Sequence, residues 1–342
     1  WPHSPLDKWG GCQIHHLDYG RGQIPSKSRI IGDALTRIGK AATEAPPVEE
    51  SAKQWRYRTK LTLTFRRRGD DWIAGLRRYD DPDAVFRLDD CPITDDRVMA
   101  AWKKVLQHRE YLPRESQLRG AVRLLEDSFA FTLEGGDDWP DREPFFQAIP
   151  EMGQLWWTPE NKNRRLLAAR HSQHAGASFT QVNPLVAIRL REWVTRIAAD
   201  ARPRVAVDAY AGTGDIAMAL AEAGARVTAI EIDRDASRYC AERLPAGSRA
   251  VAPAVERALP EALPADHVVL NPPRTGVYER VPAQLQSSTE LPATIIYVSC
   301  NPATLARDVR RLDRYRIRSL RGFDMFPQTA HVETVCELEL AA

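Results

Sequence analysis

The second half of the chain sets short β-rich apolar runs between helical stretches, and this alternation constrains the fold more than any other feature. The runs are 204–209, 226–232, 249–252, 267–270 and 294–299. Strands joined by helices at this spacing predict a parallel sheet with helices on both faces, an α/β architecture. Two more strand-like runs, 315–326 and 331–340, surround Pro327-Gln-Thr-Ala and predict a terminal antiparallel hairpin. Asn183-Pro184 marks a helix start, an N-cap residue followed by proline at the first helical position. Leu185, Ile188 and Val194 fall near one face of it.

The first half has a different texture. Residues 57–65 alternate with period two, and 72–77, 121–126 and 129–134 also read as strands, with a helix over 100–107. This is an antiparallel α+β unit. The polar, proline-containing stretch 41–50 reads as a linker or surface loop. The boundary falls near 165–175, giving domains 1–170 and 171–342. A length of 342 residues has room for two domains, and 43% hydrophobic residues suffice for a core in each.

No apolar run reaches the roughly 18–20 residues needed to span a bilayer. The opening Trp1-Pro-His-Ser-Pro carries no signal-peptide pattern. Five cysteines argue against a disulfide framework and for a reducing, cytoplasmic setting. A net charge of +2 says little, but its distribution says more. Residues 53–78 carry nine Lys or Arg against Asp70 and Asp71, and residues 307–321 carry seven Arg against Asp308 and Asp313. Such clusters either bind phosphates or are solvated faces balanced by acids elsewhere.

Val205-Ala-Val-Asp-Ala-Tyr-Ala-Gly-Thr-Gly-Asp-Ile reads as strand, glycine loop and helix. Gly212 and Gly214 let a ligand approach the backbone, and Glu231 ends the next strand, where a carboxylate can accept both hydroxyls of a ribose. A dinucleotide such as NAD also fits this loop. Asp208 favours a cationic ligand instead, because a pyrophosphate gains nothing from a carboxylate there, whereas the sulfonium and amino group of S-adenosylmethionine (SAM) do.

Asn271-Pro-Pro-Arg274 follows the 267–270 strand, its prolines stiffening the exit at the ligand-binding edge. Cys300, after the 294–299 strand, is placed as a nucleophile, although a lone cysteine is ordinarily a small buried hydrophobe. Cys336 reads as core, and Cys240 as a helical residue without a partner. Glu333 could be an exposed hairpin residue or a chemical group, and His331 reads as structural. Gln181 could read a base edge, touch a cofactor or brace its loop.

Phe179-Thr-Gln-Val-Asn183, Asp208-Ala-Tyr-Ala-Gly-Thr-Gly, Asn271-Pro-Pro-Arg, Ser299-Cys-Asn-Pro and His331-Val-Glu333 stand in one order along the chain. In this the chain resembles the RNA 5-methyluridine (uracil-C5) methyltransferase family, strongly over about 176–342 and, through Tyr57-Arg-Thr-Lys60, more weakly before it. The resemblance implies a SAM-dependent, Rossmann-like methyltransferase domain joined to a central β-rich domain. It implies Cys300 as nucleophile and Glu333 as base. It also implies Gln181, Tyr210, Asp215, Glu231 and the Asn271 position as SAM or active-site contacts.

Three departures accompany it. Asn271 stands where relatives have Asp, and Ala254 where an acid often follows the third strand. Relatives that methylate ribosomal RNA often carry cysteines for a [4Fe–4S] cluster. Trp9-Gly-Gly-Cys12 and Cys91 resemble that signature, but Trp9 and Trp1 replace the other two thiolates, and two cannot hold such a cluster well. The cluster is therefore expected to be lost, with no metal bound. An N-terminal oligonucleotide-binding barrel, frequent in the family, is missing from these residues.

The resulting expectation is a monomeric enzyme that methylates uridine C5 in RNA by cysteine addition at C6, the basic strands of the first half holding the RNA backbone. The Gly-Gly-Cys12 remnant points to ribosomal RNA; the alternatives are a transfer-RNA uracil-5 methyltransferase or a non-catalytic RNA-binding relative.

Overall fold

The structure, a computed structural model, describes residues 11–170 and 181–341. It divides into two units, one of residues 1–13 and 53–177, the other of residues 14–52 and 178–342. Division at 170/171 had given residues 14–52 to the first domain, and the structure differs. Within them lie helix α1 (Ile24–Arg37) and strand β1 (Val48–Glu49). Ile31 and Leu35 of α1 pack with Val48, Ala306 and Val332 in one apolar cluster. Val48 and Glu49 pair in parallel with Gly322 and Phe323, so part of the 41–50 stretch is an edge strand rather than a linker.

The first unit holds strands β2 (Lys60–Arg68), β3 (Asp71–Arg77) and β4 (Val85–Arg87), then helix α2 (Asp96–Gln107). Strands β5 (Gln117–Leu124) and β6 (Phe129–Glu134), helix α3 (Arg142–Gln147), and strands β7 (Met152–Thr158) and β8 (Arg165–Ala169) follow. The sheet order is β4-β3-β2-β5-β6-β7-β8. It is antiparallel as read, except that α3 returns the chain so that β7 runs parallel to β6. The period-two pattern of β2 turns Leu61, Leu63 and Phe65 into the core. Trp102 of α2 closes over them, its ring 5.6 Å from that of Phe65 and 5.9 Å from that of Phe131. Asp95 caps α2, accepting from the Arg97 amide at 2.9 Å.

The second unit continues with α4 (Pro184–Ala201), β9 (Val205–Ala209), α5 (Asp215–Glu222), β10 (Arg226–Ile230), α6 (Arg234–Arg243), β11 (Arg249–Val251) and α7 (Val255–Ala262). Then come β12 (His267–Leu270), α8 (Arg280–Gln286), β13 (Thr294–Ser299), α9 (Pro302–Arg310), β14 (Tyr315–Phe323) and β15 (Glu333–Leu340). The sheet order is β1-β14-β15-β13-β12-β9-β10-β11. Its strand pairs are parallel except at β15, which runs antiparallel to β13 and β14. This is the Rossmann-like parallel sheet with a terminal antiparallel hairpin.

The central strands are buried on both faces. Val207, Val268 and Ile295 turn toward Leu259, Val281 and Leu305, while Ala206, Val269 and Ile296 turn toward Val194, Leu220 and Cys240. Burying each valine, leucine or isoleucine contributes about 1.5–3 kcal/mol, which explains the unbroken apolar runs. The buried stripe of α4 is Val186, Leu190, Val194 and Ala198; Leu185 and Ile188 are exposed, contrary to the face read from sequence. Asn183 precedes α4, but its side-chain amide donates to Ser51 Oγ at 3.0 Å.

Candidate active site

Ala209, Ile230, Leu270 and Tyr297 stand abreast in the parallel ladder. The segments that follow them therefore leave the same carboxyl edge of the sheet. Chain order reverses between β9 and β12, the crevice where ligands enter sheets of this kind.

On the β9 side the loop turns sharply, with Tyr210, Gly212 and Gly214 at φ of 62°, 57° and 85°. A Cβ on Gly214 would lie 2.2 Å from the Cys240 sulfur of α6, so only glycine fits there. This gives the buried Cys240 its part in the structure. Glu231 braces the loop, accepting from the Gly212 amide with one carboxylate oxygen and from the Asp233 amide with the other, both at 2.8 Å. Asp208 is fully buried, with no side chain among the described residues hydrogen-bonded to its oxygens. Burial pushes its carboxyl up to about 7, against the pull of the Ala217 amide. A buried carboxyl left so beneath a glycine loop suits a cationic ligand.

Asp215 at the start of α5 is held by Arg191 and Arg243, each at 3.2 Å. Tyr210 and Gln181 are half-buried, and burial raises the Tyr210 phenol to about 12. Ala254 is the N-cap of α7 and offers no capping side chain. Asn271 leaves β12 with its amide donating to Ala209 O at 3.1 Å.

The Asn271–Val277 loop is moored by a residue that the sequence reading passed over. Asp308 is fully buried on α9; its Oδ2 accepts from the Val277 amide at 2.9 Å and from the Tyr297 hydroxyl at 2.7 Å. Asn301 and Thr304 donate to Arg274 O, at 3.2 and 3.3 Å. The exposed Arg274 guanidinium meets His331 Nδ1 at 3.1 Å, so His331 touches the arginine of this loop.

Cys300 and Glu333 come together through strand pairing. Ser299 faces Thr334 across β13 and β15; Cys300 follows the one and Glu333 precedes the other, near enough for the Glu333 charge to act on the Cys300 thiol. Glu333 is 2% exposed, not a solvent-facing hairpin residue, and its Oε2 has no partner among the described residues. Burial raises its carboxyl to about 8, opposed by Arg274. Cys300 is half-buried; burial and then the Glu333 charge push its thiol up to about 11, while Arg274 draws it down. A thiol, a carboxyl and a guanidinium thus act on one another at the edge of the sheet. Cys336 is core, as read.

The second arginine cluster is largely spent on ion pairs. Arg307 and Arg311 hold Asp308, Arg316 and Arg318 hold Glu339, and Arg321 holds Glu49. In the first cluster Arg66 and Arg67 donate only to backbone carbonyls, of Asp83 and Gly69, among the bonds resolved. Cys12 and Cys91 share the core of the first unit, where burial raises Cys12 to about 12. Trp1, Trp9, Phe179 and Thr180 lie outside the described residues. Among the described residues no group of three or more metal-ligating side chains occurs, and no helix is long and apolar enough to cross a membrane. A cavity of about 460 Å³ lies in the first unit, lined by Leu63, Trp72, Met99 and Trp102 among others, and holds none of the site residues.

The tRNA (uracil-5-)-methyltransferase family profile matches residues 164–243 and 260–340. An uncharacterized RNA methyltransferase of Synechocystis is 31% identical over 375 residues, spanning 96% of this chain and 79% of that protein. Another from Protochlamydia amoebophila is 29% identical, spanning 97% of this chain and 81% of that protein. The chain belongs to the RNA (uracil-5-)-methyltransferase family. Its fold is also that of the Pyrococcus abyssi tRNA (uracil-54, C5)-methyltransferase, solved with S-adenosyl-L-homocysteine. That structure has a TM-score of 0.70 at 22% identity, covering 97% of this chain and 86% of the other.

Proposed function

We propose that this member of the family methylates uridine C5 in RNA, with Cys300 as nucleophile and Glu333 as base. The observation that carries the reading is a buried Glu333 whose charge acts on the Cys300 thiol, the two residues flanking the Ser299–Thr334 pair at the edge of the sheet. SAM fits the β9 side: Asp208 would face its cationic amino acid end and Glu231 its ribose, with Gln181, Tyr210, Asp215 and Asn271 as further contacts. Bound there, it supplies an electrophilic methyl carbon on a sulfonium.

Uracil C5 is too weak a nucleophile to take a methyl group unaided. Cys300, its thiol proton lost to solvent, adds to C6, and the electron pair moves through C5 to the O4 enolate. C5, so made nucleophilic, would take the methyl group that bound SAM would supply, S-adenosylhomocysteine being the leaving product. Glu333 takes the C5 proton, the C5–C6 double bond reforms, and the C6–S bond breaks to return the thiolate. Glu333 takes that proton in its ionised form, whose share grows as pH rises toward about 8. The base must leave its stack for Cys300 to reach C6. Arg66, Arg67 and Arg68 of the first unit would hold the RNA backbone.

Ribosomal RNA is the proposed substrate, because Gly10-Gly-Cys12 and Cys91 resemble in sequence the cysteine signature of relatives that methylate it. Transfer RNA is the second reading, favoured by the names of the matching family and of the Pyrococcus abyssi enzyme. Nucleoside mass spectrometry after incubation with SAM and each RNA decides between them. On a denaturing gel with RNA and SAM, Glu333→Gln should accumulate an RNA-linked band that Cys300→Ala lacks. Full methylation by Cys300→Ala would refute covalent catalysis.

A further inference from the structure

Residues 14–52 carry none of the motifs, yet they grip the loop that leads into Glu333. Lys27 of α1 and Asp324, the residue after β14, are both fully buried and form an ion pair. The Lys27 ammonium also donates to Phe326 O at 3.0 Å, and the Asp324 amide donates to Glu49 O at 2.8 Å. Burial lowers the Lys27 pKa, and Asp324 opposes the shift.

A second clasp lies farther along the loop. Gln23 Nε2 donates to Gln328 Oε1 at 2.9 Å, and the Gln328 amide returns a bond to Gln23 Oε1 at 3.0 Å. Gln328 is held at φ 72°, a left-handed conformation costly for a residue other than glycine. Thr329 then bonds Phe326 O at 2.8 Å, and His331 reaches Arg274. From Asp324 to His331 the loop is fixed by α1 and the turn before it on one side and by Arg274 on the other. Glu333, by contrast, has an oxygen with no hydrogen-bond partner among the described residues, so its placement rests on the backbone that carries it.

We propose that Lys27 is a positioning residue: with Asp324, and with Gln23 against Gln328, it sets the 324–331 loop so that Glu333 meets the C5 proton. This deepens the reading of Glu333 as base and rests on it. A buried ion pair is a poor device for stability alone, since replacing both charges together is often neutral or stabilising. A buried pair gripping the loop that leads into Glu333 therefore points to geometry.

The test compares wild type, Glu333→Gln and the charge-neutral double variant Lys27→Met/Asp324→Asn, each folded by circular dichroism. The double variant should lose about tenfold to a hundredfold in kcat, the scale of an ångström's misplacement. Its KM for RNA and for SAM should stay within about twofold. It should also accumulate the RNA-linked band, as Glu333→Gln does, because addition and methyl transfer proceed while proton removal lags. A folded double variant with wild-type kcat overturns the proposal, and so does one that loses kcat through weakened RNA or SAM binding without the band. If Glu333→Gln itself gives no band, the reading of Glu333 as base fails instead. Should the double variant not fold, Gln23→Met releases the second clasp alone; a folded Gln23→Met with unchanged kcat and no band overturns the proposal equally.

Discussion

Glu333→Gln should stabilise the protein relative to wild type by an amount that grows with pH. Unfolded, Glu333 ionises near its ordinary 4.5; folded, burial holds its proton until about 8. Between these values the folded wild type binds more protons than the unfolded chain. Its stability therefore falls as pH rises, by about 1.4 kcal/mol per unit for this group. Over the interval of 8 − 4.5 = 3.5 units the loss is about 5 kcal/mol. The contribution is fully present below 4.5, is lost as pH rises through 8, and stays lost above it. Glutamine has the same shape and does not titrate. Asp208, raised to about 7, titrates in an overlapping window, but both proteins carry it and the difference cancels. Cys300, at about 11, remains a thiol throughout. Hydrogen exchange of the β13 and β15 amides at pH 5 to 9 reads opening of the unit that holds the site. The variant's advantage should climb with a slope near 1.4 kcal/mol per unit and level off above pH 8. An advantage that does not change with pH would mean that Glu333 is already ionised in the fold, and the burial reasoning would be wrong.

Three further outcomes follow from the site. SAM affinity, measured by calorimetry, should fall about tenfold from pH 8 to pH 6 as Asp208 gains a proton near 7, and Asp208→Asn should bind weakly with no such dependence; equal pH dependence in both would remove Asp208 from the SAM site. Gly214→Ala sets a Cβ against Cys240 at a φ of 85°, and should cost about 1–3 kcal/mol in thermal unfolding as well as SAM affinity; an unchanged melting temperature and affinity would show the loop to be pliable. Arg66→Ala/Arg67→Ala/Arg68→Ala should weaken RNA binding and flatten its dependence on salt, each lost phosphate contact removing about one unit of slope; an unaltered slope would return these side chains to a merely solvated face.

The sheet was legible because burial on both faces leaves the strands mostly apolar, their few polar residues falling at or near the strand ends. The runs of β9, β12 and β13 could hardly fold otherwise. Cys300 and Glu333 were legible as motifs, but the buried state of Glu333 was not, since it depends on β15 lying between β13 and β14. The α4 stripe was misread because Leu185, Val186, Ile188 and Leu190 place apolar residues on two overlapping faces, and only packing selects Val186 and Leu190. The arginines of 307–321 stood open between a phosphate surface and a face balanced by acids elsewhere, because their partners Glu337, Glu339 and Glu49 lie on other strands. Helix α1 offered Pro25 near its start and apolar residues at 24, 31 and 35, but Lys27 interrupts that face, and its partner is 297 positions away.

The contact between Ser51 and Asn183 brings together the chain just before one unit and just after it. Residues 53–177 thus interrupt the other unit as an insertion that departs from and returns to one neighbourhood. During synthesis α1 and β1 emerge early, yet β14, the strand that β1 pairs with, ends only at Phe323. The intervening unit has its own core and can fold first, while α1 waits with Ile31, Leu35 and Lys27 uncovered. A nascent chain halted before Tyr315 should leave α1 open to protease, and release past Leu340 should protect it. Assembly of the site therefore waits for β15, and no methyl transfer can begin before that strand is in place.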